Sequence, residues 1–175
     1  ALLCWFNQHA PIWRRAGNSW LLHSYCGEHF DRWIVLWEMH PEGGDPVIIE
    51  TIKTEGLSHL SYLIGSKGAA AVIDPQRDCE TYVERARARG MQITHIFETH
   101  RNEDFISGAP ILAEITGAQV WHGPNPAEPV RYADTAREGD SFDIGSARIS
   151  VLVTSWFEFL AAALKSAEPP SSSRA

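Results

Sequence analysis

The sequence is poor in cysteine and contains no long apolar run. Its 175 residues include only three cysteines, Cys4, Cys26 and Cys79, and no CxxC pair. An odd number of cysteines without paired spacing argues against a disulfide scaffold and favours a reducing, cytoplasmic setting. No apolar run reaches the ~18 residues that a membrane-spanning helix requires. We therefore expect a globular chain without a membrane partner.

Positive charge is also scarce. The chain carries 15 Lys and Arg residues against 22 Asp and Glu residues, a formal net charge of -7. Such an acidic chain repels phosphate backbones, which argues against a nucleic-acid partner. The densest basic stretch, ERARARG at residues 84–90, fits the solvent-facing side of a helix. The length is sufficient for one domain with a sizeable core.

The two ends of the chain differ in composition from its middle. Residues 1–45 hold five of the seven tryptophans but no sustained helix or strand period, and we leave them unassigned and expect poor order. Within them, residues 31–40 fit either a short strand or a short helix. A Pro- and Gly-containing linker follows, and residues 46–154 form the predicted domain. Residues 155–175 predict a short helix and then a Pro/Ser-rich tail.

The middle of the chain predicts alternating strands and helices. Apolar β-type runs occupy residues 47–53, 60–65 and 69–74, and the turn SKG joins the second and third as a hairpin. Helices are predicted at 78–90, with Asp78 as the N-cap, and at 107–117, with Pro110 in the first turn. Strands are predicted at 91–99 and 118–123, and two more within 140–154. This order indicates an α/β domain with a mixed sheet.

Four segments of this domain resemble a known superfamily when their order and spacing are taken together. They are GLSHLSYLIG (56–65), AAAVIDPQRD (69–78), ITHIFETHRNEDFISGAPILAEITGAQVWHG (93–123) and EGDSFDIGSARISVL (138–152). They resemble the metallo-β-lactamase superfamily, and within it the branch of persulfide dioxygenases and hydroxyacylglutathione hydrolases, some of which are fused to rhodanese domains. The resemblance implies an α/β (α+β) fold, namely the N-terminal half of an αββα sandwich with a mixed sheet and packed helices.

The resemblance also implies a metal motif, His-x-His-x-Asp-His, at the end of a strand. His100 matches its first histidine, and Asp104 matches its aspartate as a metal ligand and catalytic residue. Asn102 and Phe105 stand where the motif has its other two histidines. An amide oxygen is a poor ligand for Zn²⁺ or Fe²⁺ and a phenyl ring is none, so the motif is degenerate. After residue 152 the family has a further histidine, whereas this chain reads VTSWFEF.

Other residues near the motif have both a functional and a structural interpretation. His59 and His122 are weaker candidate contributors to the site, but a loop histidine and a strand-end histidine with satisfied hydrogen bonds are the more common cases. Cys79 follows a predicted helix N-cap, a position that can lower a thiol pKa, although an inert buried thiol is the more common case.

Three functions remain open at this point. The chain is an active metal-dependent thioester hydrolase or iron persulfide dioxygenase that uses His100 and Asp104, or a non-catalytic structural or interaction module, or a truncated half-domain that self-associates through an exposed sheet face. The resemblance implies Fe or Zn and a small glutathione-linked thiol or thioester in intact relatives, and a rhodanese domain as a partner. The ligand count favours an inactive chain that binds no metal tightly.

Overall fold

Two β-sheets and two helices make up the part of the chain that the structure describes. The structure, a computed structural model, describes residues 14–16, 19–23, 33–41, 46–53, 59–99, 106–123 and 130–155. The strands are β1 (Arg14–Ala16), β2 (Ser19–His23), β3 (Trp33–Pro41), β4 (Ile48–Lys53), β5 (Leu60–Ser66), β6 (Ala69–Ile73), β7 (Gln92–Glu98), β8 (Gln119–His122), β9 (Asp134–Thr135), β10 (Ser141–Ile144) and β11 (Ala147–Ser155). The helices are α1 (Glu80–Ala88) and α2 (Ala109–Thr116).

The larger sheet has six strands in the order β4–β5–β6–β7–β8–β9 and is mixed. Its first three strands are antiparallel, and the β5–β6 hairpin turns at Lys67 and Gly68, whose φ values of 44° and 79° suit the right-handed strand twist. From β6 to β9 the strands are parallel, with α1 and α2 as the crossovers between β6 and β7 and between β7 and β8. The predicted hairpin and the predicted mixed sheet are both confirmed.

Both helices end beside the predicted glycines, and both begin two residues later than predicted, at Glu80 and Ala109. The N-cap of α1 is Cys79 and not the predicted Asp78, whose carboxylate accepts a hydrogen bond from the Thr81 hydroxyl at 3.4 Å. The chain leaves α1 through Gly90, which has a φ of 67°. α2 has a proline in its first turn and stops at Gly117 with a φ of 73°, a left-handed conformation that glycine adopts without steric cost.

The two faces of the six-stranded sheet bury two separate cores. One face packs against the helices, with Leu63, Val72, Ile96 and Val120 from the sheet meeting Tyr82, Ala86 and Leu112. The other face packs against the second sheet, with Tyr62, Ile64, Ile73 and Phe97 meeting Phe142, Ile144, Ile149 and Val151. The alternation of side chains along each strand produces this division. The described residues therefore stack as a helix layer, a mixed sheet and a second sheet.

The second sheet joins the two ends of the chain. Its order is β1–β2–β3–β11–β10, and β3 pairs with β11 antiparallel from Trp33 opposite Ser155 to Pro41 opposite Ala147. The segment 31–40, which the sequence left open between strand and helix, thus contains a strand. The division of the chain at residue 45 remains a prediction, although this pairing crosses it. The predicted helix and tail after residue 155 lie outside the described residues.

The outward positions of the second sheet are polar where side chains are described. Ser141 and Asp143 on β10 and Arg148 and Ser150 on β11 alternate with the buried positions, and Arg148 pairs with Asp143 at 2.8 Å. The expected apolar sheet face is not found at these positions, because alternation sends the apolar residues inward. Self-association through a sheet face remains a prediction. No helix in the described part of the chain is long and apolar enough to cross a membrane.

Candidate functional site at the ends of the parallel strands

Polar residues gather where β6, β7 and β8 end. Parallel strands that lead into crossover helices bring their carboxyl ends to one edge of the sheet, the edge at which α/β proteins place their sites. Asp74 follows β6, Thr99 follows β7, and His122 is the last residue of β8. The degenerate motif begins at His100, directly after Thr99. The described residues at this edge therefore end, after β7, directly before the motif.

Asp74 fastens the end of β7. Its carboxylate accepts hydrogen bonds from the Thr99 amide at 2.8 Å and from the Thr99 hydroxyl at 2.6 Å. Its own amide donates to the Phe97 carbonyl at 2.8 Å. The φ of Asp74 is 49°, a left-handed conformation that a short polar side chain tolerates better than an apolar one. The strand end before the motif is thus held by protein hydrogen bonds.

His59 braces Asp74 from the neighbouring strand. Its Nε2 donates to the Asp74 carbonyl at 2.8 Å, and the Ser61 hydroxyl lies 3.3 Å from the same nitrogen. The buried Tyr82 hydroxyl donates to Ser61 at 2.7 Å and accepts from the Gln76 amide at 2.8 Å. Burial raises the pKa of Tyr82, so this hydroxyl stays protonated. The structure brings His59 to the predicted edge, in contact with backbone and a hydroxyl.

Glu98 is a buried carboxylate that sequence reasoning did not select. It is only 4% exposed, and its carboxylate accepts hydrogen bonds from the Ser107 hydroxyl and, at 2.8 Å, from the Tyr132 hydroxyl. Ser107 in turn accepts from the Ala109 amide at 3.0 Å, which satisfies one donor of the first turn of α2. A charged residue at the end of an apolar strand, two positions before His100, was the signal that could have identified it.

His122 is also buried, with 5% of its surface exposed. Its Nδ1 donates to the Gly123 carbonyl at 2.6 Å. Its Nε2 is buried and has no hydrogen-bond partner among the described residues. Of the two ring nitrogens of this strand-end histidine, Nδ1 therefore has a hydrogen-bond partner among the described residues and Nε2 does not.

The thiol of Cys79 belongs to the core behind the site. It is 3% exposed, and Sγ donates to the Gly108 carbonyl at 3.3 Å. Burial, with the nearby charge of Asp78, raises the pKa of this thiol, against a weaker opposing effect of a backbone hydrogen bond at Leu112. Of the two interpretations that the sequence left open, the structure supports the inert buried thiol and not the one activated by the helix start, because burial disfavours the thiolate.

The motif itself, His100 to Phe105, lies outside the described residues, which resume at Ile106. In the described part of the chain, no group of three or more His, Cys, Asp or Glu side chains could hold a metal ion. At the four motif positions only His100 and Asp104 have suitable donor atoms. This donor set does not fit the family's metal site.

The described residues thus form a helix layer, a mixed sheet and a second sheet, with polar side chains where the parallel strands end. The model of the metallo-beta-lactamase superfamily matches residues 54–162. The chain therefore belongs to the metallo-beta-lactamase superfamily. The match covers the six-stranded sheet from β5 onward, both helices, β10 and β11.

Curated relatives are hydroxyacylglutathione hydrolases. That of Erythrobacter litoralis is 36% identical over 86 residues, which cover 49% of this chain and 34% of the relative. That of Jannaschia sp. is 39% identical over 82 residues, 46% of this chain and 32% of the relative. The chain thus spans about a third of the length of the curated relatives it matches.

Two solved structures have a similar fold. A metallo-beta-lactamase from Staphylococcus aureus superposes with a TM-score of 0.56 at 29% identity, over 61% of this chain and 34% of that one. ETHE1 from Myxococcus xanthus superposes with a TM-score of 0.52 at 24% identity, over 61% of this chain and 53% of that one. The second likeness shows the fold alone.

Proposed function

We propose that this chain is a non-catalytic relative of the hydroxyacylglutathione hydrolases, a module that keeps the fold and the strand-end edge of a metallo-hydrolase without its metal. The observation that carries the proposal is the donor set of the motif. Asn102 and Phe105 remove two imidazole ligands, and the remaining pair, His100 and Asp104, is too small a set for tight binding of Zn²⁺ or Fe²⁺.

The hydrogen bonds at the edge support this proposal. A metal ion would ordinarily hold the loop that carries its ligands. Here the Asp74 carboxylate accepts hydrogen bonds from Thr99, before the motif, and the Glu98 carboxylate accepts one from Ser107, after it. These two carboxylates accept hydrogen bonds from protein donors on both flanks of the motif.

The relatives point to a ligand class for this module. Hydroxyacylglutathione hydrolases act on a hydroxyacylglutathione, as their name states, and two of them are 36% and 39% identical to this chain over 86 and 82 residues. We infer a small glutathione-linked thiol or thioester as ligand and a rhodanese domain as a partner, in a cytoplasmic setting. The same identity favours the competing candidate, an active thioester hydrolase or iron persulfide dioxygenase that uses His100 and Asp104.

Metal retention and thioester hydrolysis, measured together, separate the two candidates. The chain is incubated with Zn²⁺ or Fe²⁺, desalted and analysed for metal, then assayed with a glutathione thioester. We expect the unmodified chain to retain no more metal than His100→Ala does, and to hydrolyse the thioester no faster than His100→Ala. The double variant Asn102→His with Phe105→His restores the four motif ligands and should retain metal. His95→Ala serves as the matched control, because the His95 ring stacks on Phe97 on the sheet face that packs against the second sheet.

Stoichiometric metal in the unmodified chain that disappears in His100→Ala but persists in His95→Ala would overturn the proposal. Metal-dependent turnover with the same pattern would establish the enzyme instead. A double variant that still retains no metal would show that the motif loop is not held in a ligating arrangement, and the loss of two imidazole ligands would then not account for the inactivity.

A further inference from the structure

Exposed apolar side chains are concentrated around α2. In the part of the chain that the structure describes, five large apolar side chains are exposed, and four of them lie on this helix or beside its start. Ile111 and Ile115 are on the helix, and Ile106 shortly precedes it. Tyr132 is at the same end, because its hydroxyl and that of Ser107 donate to one carboxylate. These four apolar side chains, Ile106, Ile111, Ile115 and Tyr132, form what we call the α2 face.

The neighbouring helix shows how a solvent-facing helix of the same layer is built. α1 and α2 pack against the same side of the six-stranded sheet. The exposed positions of α1 are mostly charged, namely Glu80, Glu84, Arg85, Arg87 and Ala88. Those of α2 are Pro110, Ile111, Glu114 and Ile115. Apart from Glu114, α2 is therefore apolar on its outer side as well as its inner side, and a helix that is apolar all round is ordinarily covered.

The spacing of the two exposed isoleucines on α2 fits a second copy of the same surface. Residues four apart on a helix lie on one face, about 6 Å from each other. A two-fold axis that passes between Ile111 and Ile115 makes the α2 helices of two copies antiparallel. It then places Ile111 of one copy against Ile115 of the other, and the reverse. A surface of this kind is complementary to itself.

We propose that the α2 face is a contact between two copies of this chain, related by two-fold symmetry. With roughly 200 Å² for a fully exposed side chain of this size, its four side chains expose on the order of 400 Å². A stable interface buries about 800 Å² on each partner. The area therefore supports a weak dimer that forms as the protein concentration rises, and not a permanent one.

The charge beside this contact gives the dimer a distinctive response to salt. Glu114 is exposed on the same side of α2, and the chain has a formal net charge of -7. In the two-fold contact Glu114 approaches its own counterpart, and such surface charges repel until salt screens them. The dimer should therefore become tighter as the salt concentration rises. A basic helix of another protein on the α2 face would instead bind less tightly in high salt.

The contact is independent of the proposed function. It lies on the helix layer and not on a sheet face, and it uses neither the motif nor a metal. Metal retention and thioester hydrolysis can therefore give either result without changing the expected dimer, and a failure of the dimer would leave the proposed function as it stands.

The test is sedimentation equilibrium of the full chain over a range of protein concentrations, in low and in high salt. We expect the average mass to rise from that of one chain toward that of two, and to rise further in high salt. The double variant Ile111→Gln with Ile115→Gln should raise the dissociation constant about tenfold or more, because it removes the apolar contact. Ile48→Gln, which replaces an isoleucine that is equally exposed but lies on β4, is the matched control and should change nothing.

Glu114→Gln should have the opposite effect to the double variant. It should lower the dissociation constant about twofold to fivefold in low salt, and this gain should disappear in high salt. Glutamine is a good helix former, so each of the helix variants keeps the local preference for α2.

Four results would overturn the proposal. They are a monomer at every concentration, a dimer that survives the double variant, equal weakening by Ile48→Gln, and a dimer that weakens in high salt, which would indicate an attractive charged contact elsewhere. Should the double variant fail to fold by circular dichroism, the isoleucine methyl resonances of the unmodified chain decide the question. Those of Ile111 and Ile115 should shift on dilution while that of Ile48 stays, and unmoved signals would exclude this contact.

Discussion

Replacement of Asp74 measures how much its hydrogen bonds to Thr99, the residue before the motif, contribute to the stability of the chain. The Asp74 carboxylate accepts from the amide and the hydroxyl of Thr99, at 2.8 and 2.6 Å, and its φ of 49° is left-handed. Asp74→Ala removes both acceptors and places an apolar residue in that conformation. Asp74→Asn keeps an acceptor of the same shape and a side chain that tolerates a positive φ.

The structure sets the size of each effect. A hydrogen bond to a charged group contributes about 1.5–3 kcal/mol, and a left-handed residue other than glycine or asparagine costs about 1 kcal/mol more. Asp74→Ala should therefore lower the free energy of unfolding by about 4–7 kcal/mol, a large share of the stability of an ordinary domain. Asp74→Asn should cost about 1 kcal/mol, and Thr99→Val, which loses only the hydroxyl, about 1.5–3 kcal/mol.

Urea unfolding followed by circular dichroism measures these differences. The double variant Asp74→Ala with Thr99→Val should cost clearly less than the sum of the single variants, because both remove the same hydrogen bond. An Asp74→Ala variant within about 1 kcal/mol of the unmodified chain would refute the reasoning, since one buried hydrogen bond is worth that much. So would an Asp74→Asn variant that is as unstable as Asp74→Ala.

Three further outcomes follow from the same geometry. Gly117→Ala, at a positive φ with open space around it, should cost about 1 kcal/mol, and Gly145→Ala should cost more because its Cβ would overlap the Ser66 carbonyl; equal thermal shifts would contradict this close approach. Cys79 should resist alkylation in the folded chain and react after denaturation, as peptide mass spectrometry would show, because it is buried; equal rates would contradict its burial. Burial lowers the pKa of His95 in the folded chain below its ordinary value of 6.5. The unfolded chain therefore takes up a proton at His95 more readily than the folded chain, so the free energy of unfolding should fall as the pH drops through about 6.5. His95→Gln should flatten this part of a urea stability profile, and an unchanged slope would contradict the assignment.

The middle of the fold could be predicted because its elements carry local signals. The β5–β6 hairpin has an apolar run on each side of a turn with glycine, and α2 has a proline in its first turn and a glycine at its end. These signals act within a few residues of one another. β9, only two residues long, was missed, because Asp134–Thr135 has no pattern of its own and is a strand only through its pairing with β8.

The candidate site could be predicted only in part. The motif at residues 100–105 is a sequence signal, and its positions at the end of a strand follow from the pattern. Glu98 and Tyr132 form one hydrogen bond across 34 residues, and no local pattern relates them. The sequence left Cys79 open between a thiol with a lowered pKa near a helix start and an inert buried thiol, and burial, which raises its pKa, decides for the second.

The superfamily, the succession of strands and helices in the middle of the chain and the loss of two imidazole ligands at Asn102 and Phe105 can be read from the residues, because residue order and side-chain chemistry need no folding. The hydrogen bond from Thr99 to Asp74, the pairing of Glu98 with His122 and the pairing of β3 with β11 appear only in the folded chain. Those facts depend on strand register and burial, which arise when residues far apart in the chain pack together.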